Sequence, residues 1–112
     1  MRKELEVYEV LFLIDPNLNE KELSTVIENY QKFLTKKGSK VMVQNQGRRT
    51  LSYAVKKFET AYFVQMVFIG NGSLLADLSV LAVRDELVLR HIPTKLDDIL
   101  FADVASSGST LN

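Results

Sequence analysis

The sequence reads as an α+β sandwich of four strands and two helices, with both helices on one face of an antiparallel sheet. Three features carry that reading. Residues 5–14 and 61–69 are apolar on both alternating sets of side chains, the pattern of central strands covered on both faces. Between and after them lie two segments with apolar residues at helical spacing. Turn signals divide the whole into strand, helix, strand, strand, helix, strand within 112 residues, the length of one ordinary domain.

The first strand carries Tyr8, Val10, Phe12 and Ile14 on one side, and Val7, Leu11 and Leu13 with Glu9 on the other. Asp15-Pro16-Asn17 stops it, because proline lacks a ladder donor and Asp and Asn favour turns. Asn19 with Glu22 three residues on has the form of a capping box. The stripe Leu23, Val26, Ile27, Tyr30, Phe33 and Leu34 follows, and Lys36, Lys37 and Gly38 close the helix. Val41 and Val43 begin a second strand. Gln44-Asn45-Gln46-Gly47 suggests a bulge, and Leu51, Tyr53 and Val55 resume the alternation.

Residues 56–60 read as a turn into the third strand. Ser73 is the expected N-cap of a second helix bearing Leu74, Leu78, Leu81 and Ala82. Leu87, Val88, Leu89 and Ile92 form a last strand that Pro93 is expected to end. Strand order and central pair together describe the split βαβ, ferredoxin-like sandwich, βαββαβ. The folded domain is expected to span 1–95, with 96–112 a C-terminal extension, Ser-, Gly- and Thr-rich at its end and partly disordered. In such a fold one sheet face has no helix over it. Here that face would carry Leu11, Leu13, Phe63 and Val67, and an apolar open face implies a partner.

No cysteine is present, which excludes disulfides, thiolate chemistry and cysteine-ligated zinc and agrees with an intracellular protein. Acidic residues interrupt the N-terminal apolar run, unlike a signal peptide, and no apolar run is long enough to span a bilayer. The single histidine, His91, cannot build a metal site alone. Asp97 and Asp98 have no surroundings suited to acid–base work. Gly70-Asn71-Gly72 lacks the lysine of a Walker loop. The sequence therefore points to no enzyme, no cofactor and no small-molecule substrate.

Formal net charge is zero, yet residues 29–58 hold Lys32, Lys36, Lys37, Lys40, Arg48, Arg49, Lys56 and Lys57 and no acid. A local positive field is possible on a neutral protein. Arg48, Arg49, Lys56 and Lys57 flank a strand that holds Tyr53. Arginine forks match phosphates, and tyrosine can stack on a base. An edge strand charged against aggregation would look the same. Adjacent Arg48 and Arg49 should point to opposite faces. With no acid nearby, the four cations should serve assembly, each changing stability by less than about 0.5 kcal/mol when removed.

Tyr8-Glu9-Val10 with Ile14-Asp15-Pro16-Asn17-Leu18 resembles the opening of the bacterial small-subunit ribosomal protein six family. Gly47-Arg48-Arg49 with Leu51-Ser52-Tyr53-Ala54-Val55-Lys56-Lys57 is similar to that family's most recognisable segment. Tyr62-Phe63-Val64 matches its third strand, and Arg90-His91 falls where its last strand is basic. The family usually has Ala-Tyr-Pro-Ile where this chain has Ser52-Tyr53-Ala54-Val55. The tail also lacks the glutamate run of some members.

The resemblance implies a structural role in the small subunit, on the central domain of its ribosomal RNA, together with small-subunit ribosomal protein eighteen. It implies a ribosome in the bacterial cytoplasm or, for an organellar protein, the plastid stroma. It adds Arg2 and Arg90 to the candidate RNA- or partner-binding residues. A basic partner would account for both the zero charge and the apolar open face.

Three rivals share the strand order. An RNA-recognition-motif-like protein needs exposed aromatics on its central strands; Phe63 qualifies, but the basic–glycine–aromatic signature is missing. A small-ligand regulatory domain would self-associate through its sheet. An acylphosphatase-like enzyme needs an arginine after the first strand, where Asp15-Pro16-Asn17 stands.

Overall fold

Side-chain alternation sorts the strands. In the computed structural model, which describes residues 5–96, β1 (Glu6–Ile14), β2 (Val41–Val55), β3 (Phe58–Gly70) and β4 (Val88–Leu96) form one antiparallel sheet. Their order is β2-β3-β1-β4, so the two strands apolar on both sides are the central pair. Helices α1 (Glu20–Lys36) and α2 (Gly72–Arg84) complete the expected ferredoxin-like order. Arg2, Asp97, Asp98 and all but the first residue of the C-terminal extension lie outside the described residues. No helix among the described residues is long and apolar enough to cross a membrane.

The main core lies between the helices and one sheet face. Tyr8, Val10, Phe12 and Ile14 of β1 and Val64, Met66 and Phe68 of β3 meet Leu23, Val26, Tyr30 and Leu34 of α1 and Leu78 and Ala82 of α2. The α1 capping box is formed: Glu22 N–H donates to Asn19 Oδ1 at 2.8 Å, and Asn19 N–H donates to Glu22 Oε1 at 2.9 Å. Gly38, at φ +88°, ends the helix in the left-handed conformation that suits glycine.

Phe33 departs from its expected place in the buried stripe. It is half-buried, at the flank of the stripe, with Lys37 Nζ 5.6 Å from its ring centroid. Other boundaries also differ. Asn71, not Ser73, caps α2, its Oδ1 accepting from Leu74 N–H at 2.8 Å. Pro93 does not end β4, which runs on to Leu96. β4 is an edge strand, and a proline whose missing N–H faces outward costs no ladder bond.

The turn between β2 and β3 is tighter than expected. Val55 pairs with Phe58, leaving a two-residue turn of Lys56 (φ 50°) and Lys57 (φ 72°). Positive φ at both positions is the type I′ geometry that favours Asn-Gly. For residues with a Cβ it costs about 1–2 kcal/mol each.

One buried polar contact ties α1 to the end of α2. Tyr30, 5% exposed, donates through its hydroxyl to Asp85 Oδ2 at 2.8 Å. Burial raises the phenol's pKa above its ordinary 10.0, and the Asp85 carboxylate raises it further. Below pH 10 the phenol is neutral in both folded and unfolded chains. Above it the unfolded chain loses the proton first, so stability should fall as pH rises from there. Tyr30→Phe should cost about 1–3 kcal/mol, the worth of a hydrogen bond to a charged group, and abolish that alkaline decline. Urea unfolding at pH 7 and at pH 11 checks both.

Candidate partner and nucleic-acid interface

On the face without helices, register places the side chains in cross-strand rows. Leu13 lies opposite Phe63 on one side and Arg90 on the other, and Leu11 lies opposite Gln65 and Ile92. Two irregularities reshape the end of this face nearest the β2–β3 turn. Between Thr50 and Val55 the β2 register shifts against β3, and between Leu13 and Ile14 the β1 register shifts against β4, making Leu89 the extra residue. Such bulges re-aim side chains. Val55 and Leu89 join Leu13 and Ala61 in a second small core, with Leu11, Leu51, Phe58 and Phe63 packed against it.

The four residues expected to form an open apolar face therefore divide. Leu13 is 5% and Val67 2% exposed, so neither offers much surface to a partner. Leu13 is covered by the second core. Val67 packs with Val7 among Met42, Ile69 and Leu96. Leu11 and Phe63 are half-buried and floor a basin of about 320 Å³. Leu51 and Val55 wall it, and Arg49, Tyr53, Arg90 and Ile92 are among the other residues that line it. Tyr53 is 68% exposed.

Arg48 and Arg49 part company, as strand alternation requires. Arg49 shares the basin side, its guanidinium carbon 5.5 Å from the Phe63 ring centroid. Neither Arg49 nor Arg90 has an ion pair with another described residue; on this sheet it is Lys95 that pairs with an acid, Glu6, at 3.5 Å. Arg48 lies over Tyr62 on the helix side, 5.0 Å from its centroid. Its Nη2 donates to Pro16 O and to the Tyr62 hydroxyl, both at 2.9 Å. The Tyr62 hydroxyl in turn donates to Leu18 O at 3.0 Å.

Arg48 thus pins the loop between β1 and α1, and the expectation that it lacks folding partners is corrected. The partners are carbonyl and hydroxyl oxygens far away in sequence, which a search for nearby carboxylates does not find. Arg48→Ala should cost about 1–2 kcal/mol and speed amide exchange at Asn17 and Leu18. Arg49→Ala should leave that loop unchanged and cost less than about 1 kcal/mol. Native-state hydrogen exchange with urea unfolding separates the two.

Ile92, Leu51 and Val55 also line this site, beyond the residues that the sequence singles out. Ile92 was detectable, since it shares a strand face with Arg90. The bulges that bring in Leu51 and Val55 have no such signal. Lys56 and Lys57 stand just beyond the basin wall, at the hairpin turn. Among the described residues no group of three or more His, Cys, Asp or Glu is placed to hold a metal ion.

The family model described as ribosomal protein S6 matches residues 7–95. The small ribosomal subunit protein bS6c of Guillardia theta is 39% identical over 93 residues, which cover 82% of this chain and 97% of that protein. The bS6c protein of Porphyra purpurea is 35% identical over 92 residues, 81% of this chain and 82% of its own. The bS6 protein of Thermosynechococcus vestitus is 32% identical over 92 residues, 81% of each. The crystal structure of 30S ribosomal protein S6 from Thermotoga maritima superposes with a TM-score of 0.80 at 24% identity, covering 94% of this chain and 99% of that one; it shares the fold.

Proposed function

This chain belongs to the ribosomal protein S6 family, and from that premise we propose that it binds the central domain of small-subunit ribosomal RNA jointly with small-subunit ribosomal protein eighteen. It is a structural protein of the small subunit and not an enzyme. Its relatives place it on a bacterial cytoplasmic or a plastid ribosome.

The observation that carries the joint-binding reading is the basin: an apolar floor of Leu11 and Phe63, with Arg49 and Arg90 at its edge free of ion pairs among the described residues. Such a floor suits an apolar side chain of a protein partner. The arginines and Tyr53 suit phosphate and base at its margin. Zero net charge leaves much of the RNA attraction to a basic partner, because phosphate contacts dominate nucleic-acid affinity. In this reading Leu11, Phe63 and Ile92 bind the protein, and Arg49, Tyr53 and Arg90 serve the junction with RNA. Arg2 is kept as an RNA contact. Leu13 and Val67 support the surface from beneath.

An RNA-recognition-motif-like mode fits less well, because β3 lacks the basic–glycine–aromatic signature that such a module carries. The test is sedimentation of a lysate of the native host with immunodetection, followed by removal of protein eighteen. Co-migration with small subunits that is lost without protein eighteen is expected. Co-migration that persists without it contradicts joint binding.

A further inference from the structure

Glu9 stands in the middle of the helix-free sheet face, between two apolar patches. Along β1 its neighbours on that face are Leu11, on the basin floor, and Val7, which packs with Val67 among Met42, Ile69 and Leu96. Val67 and Thr94 stand opposite Glu9, and the flanking rows hold Gln65 and Ile92 on one side and Ile69 and Leu96 on the other. None of these is a cation, and Glu9 makes no ion pair with another described residue.

The carboxylate is nonetheless held in place. Gln65 Nε2 donates to Glu9 Oε2 at 2.7 Å, and Gln46 Nε2 donates to Gln65 Oε1 at 3.1 Å. The second bond turns the Gln65 amide so that its N–H groups meet the acid, since an ionised carboxylate only accepts. Gln46 comes into reach through a bulge: the β2 register shifts between Asn45 and Gly47, where Gly47 has φ +83°. Glu9, Gln65 and Gln46 are all half-buried. Two neutral amides fix the position of the charge without cancelling it, and Glu9 Oε1 has no hydrogen bond with another described residue.

A partner that covers the apolar residues on both sides takes Glu9 out of water. A carboxylate buried without a cation is strongly unfavourable. A purely apolar surface is therefore rejected here, and one that brings a cation to Oε1 is accepted. Specificity of this kind combines an attraction with a repulsion.

We propose that Glu9, positioned by Gln65 and Gln46, selects the protein partner by pairing with an arginine or lysine of protein eighteen that seats beside the basin. This rests on the joint-binding reading above, but adds a requirement that the apolar floor does not impose.

Calorimetric titration of variants with protein eighteen tests it. Glu9→Gln keeps the shape of the side chain and can still accept from Gln65, so the thermal midpoint of the free protein should change little. Affinity for protein eighteen should fall by about 30-fold or more, and Glu9→Lys should lower it further. Changing each arginine and lysine of protein eighteen to alanine in turn should reveal one whose loss has no further effect in the Glu9→Gln background. A glutamate at that partner position should restore binding to Glu9→Lys.

Wild-type affinity in Glu9→Gln would overturn the proposal and leave the joint-binding reading intact. Tighter pairing would overturn it too and assign the acid to blocking self-association. Weaker pairing that couples to no cation of the partner would also overturn it. Failure of the wild-type proteins to pair at all would overturn the joint reading, and the role of Glu9 with it.

Discussion

Replacing Phe12 with alanine is expected to destabilise the isolated protein by about 3–5 kcal/mol, a large share of the stability of a domain this size. Phe12 is fully buried in mid-β1, and its ring centroid lies 4.9 Å from that of Tyr30 on α1. It joins sheet and helix layers at their centre, so the cavity left behind cannot close without moving α1. Phe33→Ala should cost much less, about 1–2 kcal/mol, because that residue sits at the edge of the core and is only partly buried. Chemical denaturation of both variants gives the comparison. A Phe33 effect equal to that of Phe12 would mean that α1 turns a different face to the sheet.

Ile92→Asp should have the largest effect on assembly. Ile92 is 41% exposed, opposite Leu11 on the edge strand and in the basin lining. In the free protein the new carboxylate stays hydrated, and stability should change by less than about 1 kcal/mol. In the complex it would be buried against an apolar side chain, and burying an unpaired charge is strongly unfavourable. Affinity for protein eighteen should fall by about 100-fold, close to 3 kcal/mol. Calorimetric titration with an intact thermal transition in the variant establishes that the loss is one of pairing. Unchanged affinity would show that the partner does not seat in the basin.

The layers of the fold were legible because each element carries its own local signal. Two-sided apolar strands identified the central pair, and Asn19 with Glu22 and Gly38 marked both ends of α1. The site was legible only in part. Alternation separated Arg48 from Arg49, but pairwise spacing cannot show that Arg48 reaches Pro16 and Tyr62 across the sheet. It also cannot show that bulges in β2 and β4 fold Val55 and Leu89 over Leu13. An apolar residue on an open face looks the same in sequence whether a partner or the chain itself covers it. For the same reason Lys56 and Lys57 read only as charge, since their strained φ depends on how tightly β2 and β3 pair.

Titration of a labelled central-domain RNA with this protein, alone and with protein eighteen, tests the central claim most directly. Weak binding by the protein alone, and strong salt-dependent binding once the partner is added, is the expected result. Tight, salt-sensitive binding by the protein alone would contradict it.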